Sequence, residues 1–366
     1  MTGTAMSAQA ILEKLAGLAK DVNDVLQDPF FESWAIQRRQ VMMGKLAARA
    51  SAEIGTVFVG HHLQHARATN DRREFVHLAE DFLADPPAQL PKNSVFLLLN
   101  NDIGKHLPQY IAYYNAHPEA LFIVWDWDSQ HWIYMSSALA MHSDIYVPAS
   151  SENIHLLAQF NPFTVGPVFA AAHQWSRRFL ADHAGLFLAE RSREPLGMHV
   201  FYENYPRRNR AIATVAQTFP TVGFATNAFK GRSDLDNLKE WAAHKTHWIV
   251  PVLAGVPIRI YNALVTGGIP ILPSFYKNLP EIAILGSLPA YYQVADLLQA
   301  AAVNDEAVSR FEAGGESALL ARLADATLHH HIDARSEQLL LAVEDMLAGA
   351  LRADTSHRLG YIGARL

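Results

Sequence analysis

Apolar residues along this chain recur in two rhythms. From residue 8 to 50 they fall at helical spacing, with Ile11, Leu12, Leu15, Leu18, Ala19 and Val22 on one side, and a second helix is predicted over 34–50, after the Asp28-Pro29 break. From Ile54 the rhythm changes to short apolar runs alternating with amphipathic stretches. The runs at 56–59, 94–99, 121–125, 144–147 and 163–165 read as strands with helices between most of them. That alternation predicts a parallel sheet covered on both faces.

A charged stretch over 180–197, ending in Pro195 and Gly197, then marks a boundary. A second α/β set follows, with strands expected at 198–202, 221–225, 247–252 and 269–272, and the chain turns helical and alanine-rich from 290 to 351. The expected division is a helical prefix (1–50), a first α/β domain (51–190), a second (191–350) and a tail (351–366). Two similar α/β halves would place a ligand in the crevice at the carboxyl ends of their sheets.

Length and composition narrow the function. A chain of 366 residues exceeds what one hydrophobic core usually supports, which agrees with two domains. The net charge of −6 argues against a general nucleic-acid binder, so any anionic ligand must be held by a local cluster of positive groups. The absence of cysteine excludes disulfides, thiolate metal sites and cysteine nucleophiles. No apolar run is long enough to span a membrane, and residues 1–26 lack the pattern of a signal peptide, so a cytoplasmic location is expected.

The segment 257–281, PIRIYNALVTGGIPILPSFYKNLPE, is the densest in local signals. Pro257 suits a helix start, Gly267 and Gly268 a helix stop, and Ile269 to Leu272 a buried strand. A helix opening after the turn at Gly255, with Arg259 one turn in, outlines an anion site. Arg259, Tyr261, Ala263, Leu264, Gly267, Ile269, Pro270 and Ile271 resemble the donor-binding helix and strand of GT-B glycosyltransferases, in particular the exostosin-like and fucosyltransferase-like pattern. The likeness covers roughly 25 residues closely and the rest of the chain only in layout. Asn262 departs from it, standing where those families usually carry an acid.

The resemblance implies two Rossmann-like domains facing a cleft and the transfer of a sugar from a nucleotide-sugar donor to a hydroxyl acceptor. It also implies a last helix that crosses back to the first domain. The donor diphosphate would be held by Gly255, Arg259, Asn262, Arg208, Arg210 and Lys230, whose positive groups do the work of a metal, so no cofactor is expected.

For the base that accepts the acceptor's proton, two segments compete. His61, in the pair His61-His62 just past the first strand, is the first choice, because a neutral imidazole titrates near working pH. Asp128, in Trp125-Asp126-Trp127-Asp128-Ser129 at the end of a strand, is the second, although Asp128 also fits a helix cap. Asp126 and Asp128 read together suggest a metal-dependent Asp-x-Asp transferase, and a non-catalytic binding protein of the same fold is a further alternative. Trp125, Trp127 and Trp132 could stack on sugars but are more often core. His329, His330 and His331 point about 100° apart on a helix, so they read as a solvated face and not as a metal site.

Overall fold

The computed structural model describes residues 53–348 except 162, 171–174, 226–231 and 254, together with residues 9, 40, 41, 44 and 45. Apart from those five residues the predicted helical prefix, together with the tail and Lys230, lies outside the described residues.

The first sheet is parallel and contains β1 (Thr56–Val59), β2 (Glu74–His77), β3 (Val95–Leu99), β4 (Leu121–Asp126) and β5 (Ile145–Pro148) in the order β2-β1-β3-β4-β5. Of its inner strands, β3 is apolar throughout and β4 up to its last residue, Asp126, as a sheet buried on both faces requires. Phe96, Leu98, Phe122 and Val124 pack on one face with α1 (Leu107–Ala116) and α2 (Ile133–Met141). Leu97, Leu99, Ile123 and Trp125 point to the other.

The second half repeats this plan. Strands β6 (Gly197–His199) and β7 (Val222–Phe224) pair in parallel, as do β8 (Thr246–Trp248), β9 (Ile269–Pro273) and β10 (Ala290–Tyr292). A parallel bridge from Leu196 to His247 joins the two groups, with Leu196 N–H donating to the Thr246 carbonyl at 3.0 Å and Trp248 N–H to the Leu196 carbonyl at 2.8 Å. The resulting order, β7-β6-β8-β9-β10, is that of the first sheet, each half being a doubly wound 2-1-3-4-5 arrangement. The helices that complete this half are α3 (Pro206–Ala216), α4 (Asp234–Ala242), α5 (Arg259–Val265), α6 (Ala300–Glu312), α7 (Gly315–His329) and α8 (Ile332–Leu347).

One hydrophobic core runs between the sheets. It joins Leu97 and Ile123 of the first to Ile249 and Leu272 of the second, through Ile260 and Leu264 on α5 and Leu339 and Leu340 on α8. Helix α8 returns to the first sheet: Glu344 accepts from Ile54 N–H at 2.8 Å and pairs with Arg73 at 2.6 Å, Arg73 also pairs with Glu337, and Asp333 accepts from Arg67 N–H at 2.6 Å.

Several expectations need correction. Residues 163–165 form no strand, only one bridge from Thr164 to Tyr146, because Gly166 at φ 122° turns the chain away. Strands β2 and β10 went unpredicted, β2 being the polar edge sequence Glu-Phe-Val-His and β10 only three residues long. Helix α5 begins at Arg259, two residues after Pro257, whose carbonyl accepts from Ile260 N–H at 3.1 Å. His330 and His331 are not solvated but 3% exposed each: α7 stops at His329, and the turn into α8 folds the next two rings inward.

Among the described residues no helix is long and apolar enough to cross a membrane.

Candidate functional site

In a 2-1-3-4-5 sheet the first and third strands carry their chains away to opposite sides, and a crevice opens between them at the carboxyl edge. The molecule has two such points, β1/β3 and β6/β8. Each is closed by a charged side chain.

At β1/β3 the closing group is Asp102, in the single helical turn Asn100–Ile103 that follows β3. One carboxylate oxygen accepts from Leu99 N–H at 2.8 Å, and the other accepts from His62 N–H and meets His62 Nδ1, both at 2.8 Å. Gly60 makes room for it, since a Cβ there would lie 1.8 Å from Asp102 Oδ2. The carboxylate can only accept, so His62 carries its proton on Nδ1 and presents Nε2 as a base. The Asp102 hydrogen bond raises the His62 pKa above its ordinary value, against a smaller opposing effect of burial. His61, the first choice from sequence, stands beside it with ring centroids 5.8 Å apart and has no carboxylate partner among the described residues.

The same helical turn also reaches Asp128, which follows β4. Asn100 Nδ2 donates to Asp128 Oδ2 at 3.0 Å, and the backbone carbonyl of Asp128 accepts from His131 and Trp132 N–H. Asp128 therefore caps no helix, and α2 begins only at Ile133. Asp126, by contrast, is 1% exposed and accepts from Tyr146 O–H and, at 3.0 Å, from Asp128 N–H. Burial raises its pKa. With one carboxylate turned into the sheet, the two do not converge, and no cluster of three or more His, Asp or Glu among the described residues could hold a metal. Trp125 is fully buried with Nε1 donating to the Val168 carbonyl at 2.8 Å, whereas Trp132 is 54% exposed.

At β6/β8 the closing group is a guanidinium. The short pairing of Leu196 with β8 ends at Trp248, and beyond it side chains bridge the diverging strands. Val250 N–H donates to His199 Nε2 at 3.1 Å, while Arg208 donates from Nη1 to the Val200 carbonyl at 2.8 Å and from Nε to the Val250 carbonyl at 3.2 Å. Arg208 is partly buried, lies over the Tyr202 ring and has no carboxylate partner among the described residues. Burial lowers its pKa and holds His199 neutral, well below the usual histidine range.

Arg208 lines a cavity of about 760 Å³ that follows the carboxyl ends of the second sheet, from Tyr205 past Val250 and Ser274 to Tyr292 and Val294. Its walls are apolar apart from Arg208, the neighbouring Arg207 and a few polar groups, the usual make-up of a small-molecule site.

The remaining candidates separate. Arg259 is partly buried with its guanidinium 5.3 Å from the Trp241 ring centre, and burial lowers its pKa to about 10. Asn262, three residues on, lies on the same side of α5, and its Oδ1 has no hydrogen-bond partner among the described residues. Tyr261 faces the core instead. Arg210 is exposed, two residues and some 200° around α3 from Arg208. Gly255 packs against Gln130, whose side chain would lie 2.2 Å from a Cβ at this position, and its carbonyl accepts from Tyr276 O–H.

The Gly255 contact is one of several between the loops at the carboxyl ends of the two sheets. Tyr205 O–H bonds His131 Nδ1 at 2.8 Å, Ser151 N–H donates to Glu281 at 2.6 Å, and His65 Nε2 lies 3.2 Å from Asp234. His131 thus bonds Tyr205 of the second half and lies near enough to both Asp128 and Arg208 to feel their opposite charges. Sequence reasoning named His62 only as the neighbour of His61 and did not bring in Asp102 or His131. The signal for Asp102 was the polar run Asn100-Asn101-Asp102 directly after the apolar strand.

Compared with protein-family models and with curated proteins, the chain matches none.

Proposed function

We propose that the protein is a glycosyltransferase of the GT-B type, with two Rossmann-like units and catalysis that draws on side chains instead of a metal. It would move a sugar from a nucleotide-sugar donor to a hydroxyl acceptor. The observation that carries this reading is the complementary pair of switch points: a carboxylate-backed imidazole, His62–Asp102, in one sheet and an unneutralised guanidinium, Arg208, in the other. The first suits proton removal and the second an anion.

In this mechanism the donor lies along the cavity of the second sheet. Its diphosphate meets Arg208, with Arg259 and Asn262 as further donors from α5, and its base and ribose fill the apolar part between Val250 and Val294. The acceptor hydroxyl sits at His62 Nε2. As its oxygen attacks the anomeric carbon, the proton passes to Nε2 and the bond from that carbon to the diphosphate oxygen breaks. Asp102 stabilises the imidazolium formed, and Arg208 the negative charge that grows on the departing diphosphate. A direct displacement of this kind inverts the anomeric centre.

Mass spectrometry of reactions with UDP-, GDP-, CMP- and dTDP-sugars and mixed glycan acceptors tests the proposal. One donor should yield a glycosylated product and free nucleoside diphosphate or monophosphate, and the product should vanish with His62→Gln. Turnover of none of these donors, or equal turnover by His62→Gln, would count against it.

A further inference from the structure

A second cavity of about 740 Å³ lies away from both switch points, at the opposite end of α5 from Arg259, between α5, α7 and α8. Its floor is apolar, formed by Phe169, Leu264, Leu285 and Leu288. Its walls carry two guanidiniums, Arg322 and Arg335, and neither forms an ion pair among the described residues. Arg335 is only 5% exposed. It donates to Gln338 Oε1 at 2.7 Å and to His330 Nδ1 at 3.0 Å, and Nε has no partner among the described residues. Its charge is otherwise met only by the faces of Phe169 and Tyr261, at 5.2 and 5.9 Å. Arg322 donates to the carbonyls of Gly267 and Phe311 at 3.2 and 3.3 Å. Because Arg335 can only donate, His330 must accept at Nδ1 and keep its proton on Nε2, so it adds a further donor and no negative charge. Asp325 is the one acidic residue lining the cavity, and it is exposed.

Buried cations are normally matched by buried anions, because an uncompensated charge in a low-dielectric site is costly. Here the match is missing and the space for it is present. We propose that this rear cavity binds a small organic anion with an apolar body, its carboxylate or phosphate between Arg322 and Arg335 and its aliphatic or aromatic part on the floor beneath. Neither the guanidiniums nor the floor belongs to the transferase site, so the inference stands apart from the proposed activity. Leu264 lines this cavity and Tyr261 lies under Arg335, both on the helix that begins with Arg259, seven residues or about 10 Å long, so an occupant would bear on α5 directly.

Isothermal titration of the full chain with naphthalene carboxylate, and with naphthalene carboxamide of the same shape and no charge, tests the inference. The carboxylate should bind at one site per chain, and the amide, losing charge-assisted hydrogen bonds, about tenfold or more weakly. Arg322→Gln should weaken carboxylate binding by about the same tenfold. Ala321→Trp, at an exposed position on the rim, should abolish it by filling the mouth, and this variant decides the matter if Arg322→Gln does not fold. Arg208→Gln, in the other cavity, should leave it unchanged. Absence of saturable carboxylate binding at millimolar concentration would overturn the proposal. So would equal binding of the amide, binding that persists in Ala321→Trp, or binding lost in Arg208→Gln.

Discussion

A histidine acts as a base when something fixes which nitrogen carries its proton, and at His62 that something is Asp102, 40 residues away in sequence. Replacing His62 with Gln should lower kcat/KM by about a hundredfold or more. His61→Gln should stay near wild type, since among the described residues no carboxylate fixes the tautomer of that ring. Asp102→Asn removes the group that raises the His62 pKa, so the acidic limb of the pH–rate profile should move to lower pH while the maximum rate falls. The same coupling reaches stability. A histidine held above its ordinary value stabilises the fold fully below that value, and the contribution fades as pH rises through the raised one. Chemical denaturation across this window should therefore show wild type losing stability relative to Asp102→Asn as pH increases. At the other switch point, Arg208→Gln should weaken binding of the donor by about tenfold to a hundredfold, the loss expected for a charge-assisted hydrogen bond.

At the scale of elements, helix α5 and its exit show how local sequence fixes a site. Gly267 N–H donates to the Leu264 carbonyl and Gly268 N–H to that of Ala263, both at 2.9 Å, with Gly267 at φ 73°. Gly267→Ala should cost at least about 1–2 kcal/mol for the left-handed backbone alone, read as a lower urea midpoint. A Cβ there would also press on Leu319 Cδ1 at 2.5 Å. This stop and the strand after it were readable from the Gly-Gly-Ile-Pro run because both depend on neighbours in sequence. Strands β3 and β4 were readable for the same reason, being apolar at every position but Asp126, the last of β4. Strand β2 was not, since its position at an edge lets polar residues stand at both of its ends, and neither was the buried turn at His330 and His331. The candidate site divides along the same line. Arg208 could be picked out at the start of α3, but its difference from Arg210 is one of helix phase, and the Asp102 partnership with His62 exists only once β1 and β3 lie side by side.

For the whole molecule, the repeated strand order brings both carboxyl edges together, and α8 ties the end of the described chain to its beginning. Arg73 has a fully buried side chain between Glu337 and Glu344. Arg73→Met leaves two carboxylates without their cation and should destabilise the fold by about 3–5 kcal/mol, seen as a large drop in Tm. The central claim concerns the meeting of the edges: an anion-holding site in one sheet works with a base in the other. Thermal shift with UDP-, GDP-, CMP- and dTDP-sugars, on wild type and on Arg208→Gln, tests it most directly, because a ligand that binds only the native state raises Tm with the logarithm of its concentration over Kd. One nucleotide sugar should raise the wild-type Tm and leave that of the variant nearly unmoved. A panel that shifts neither protein, or both alike, would contradict the account.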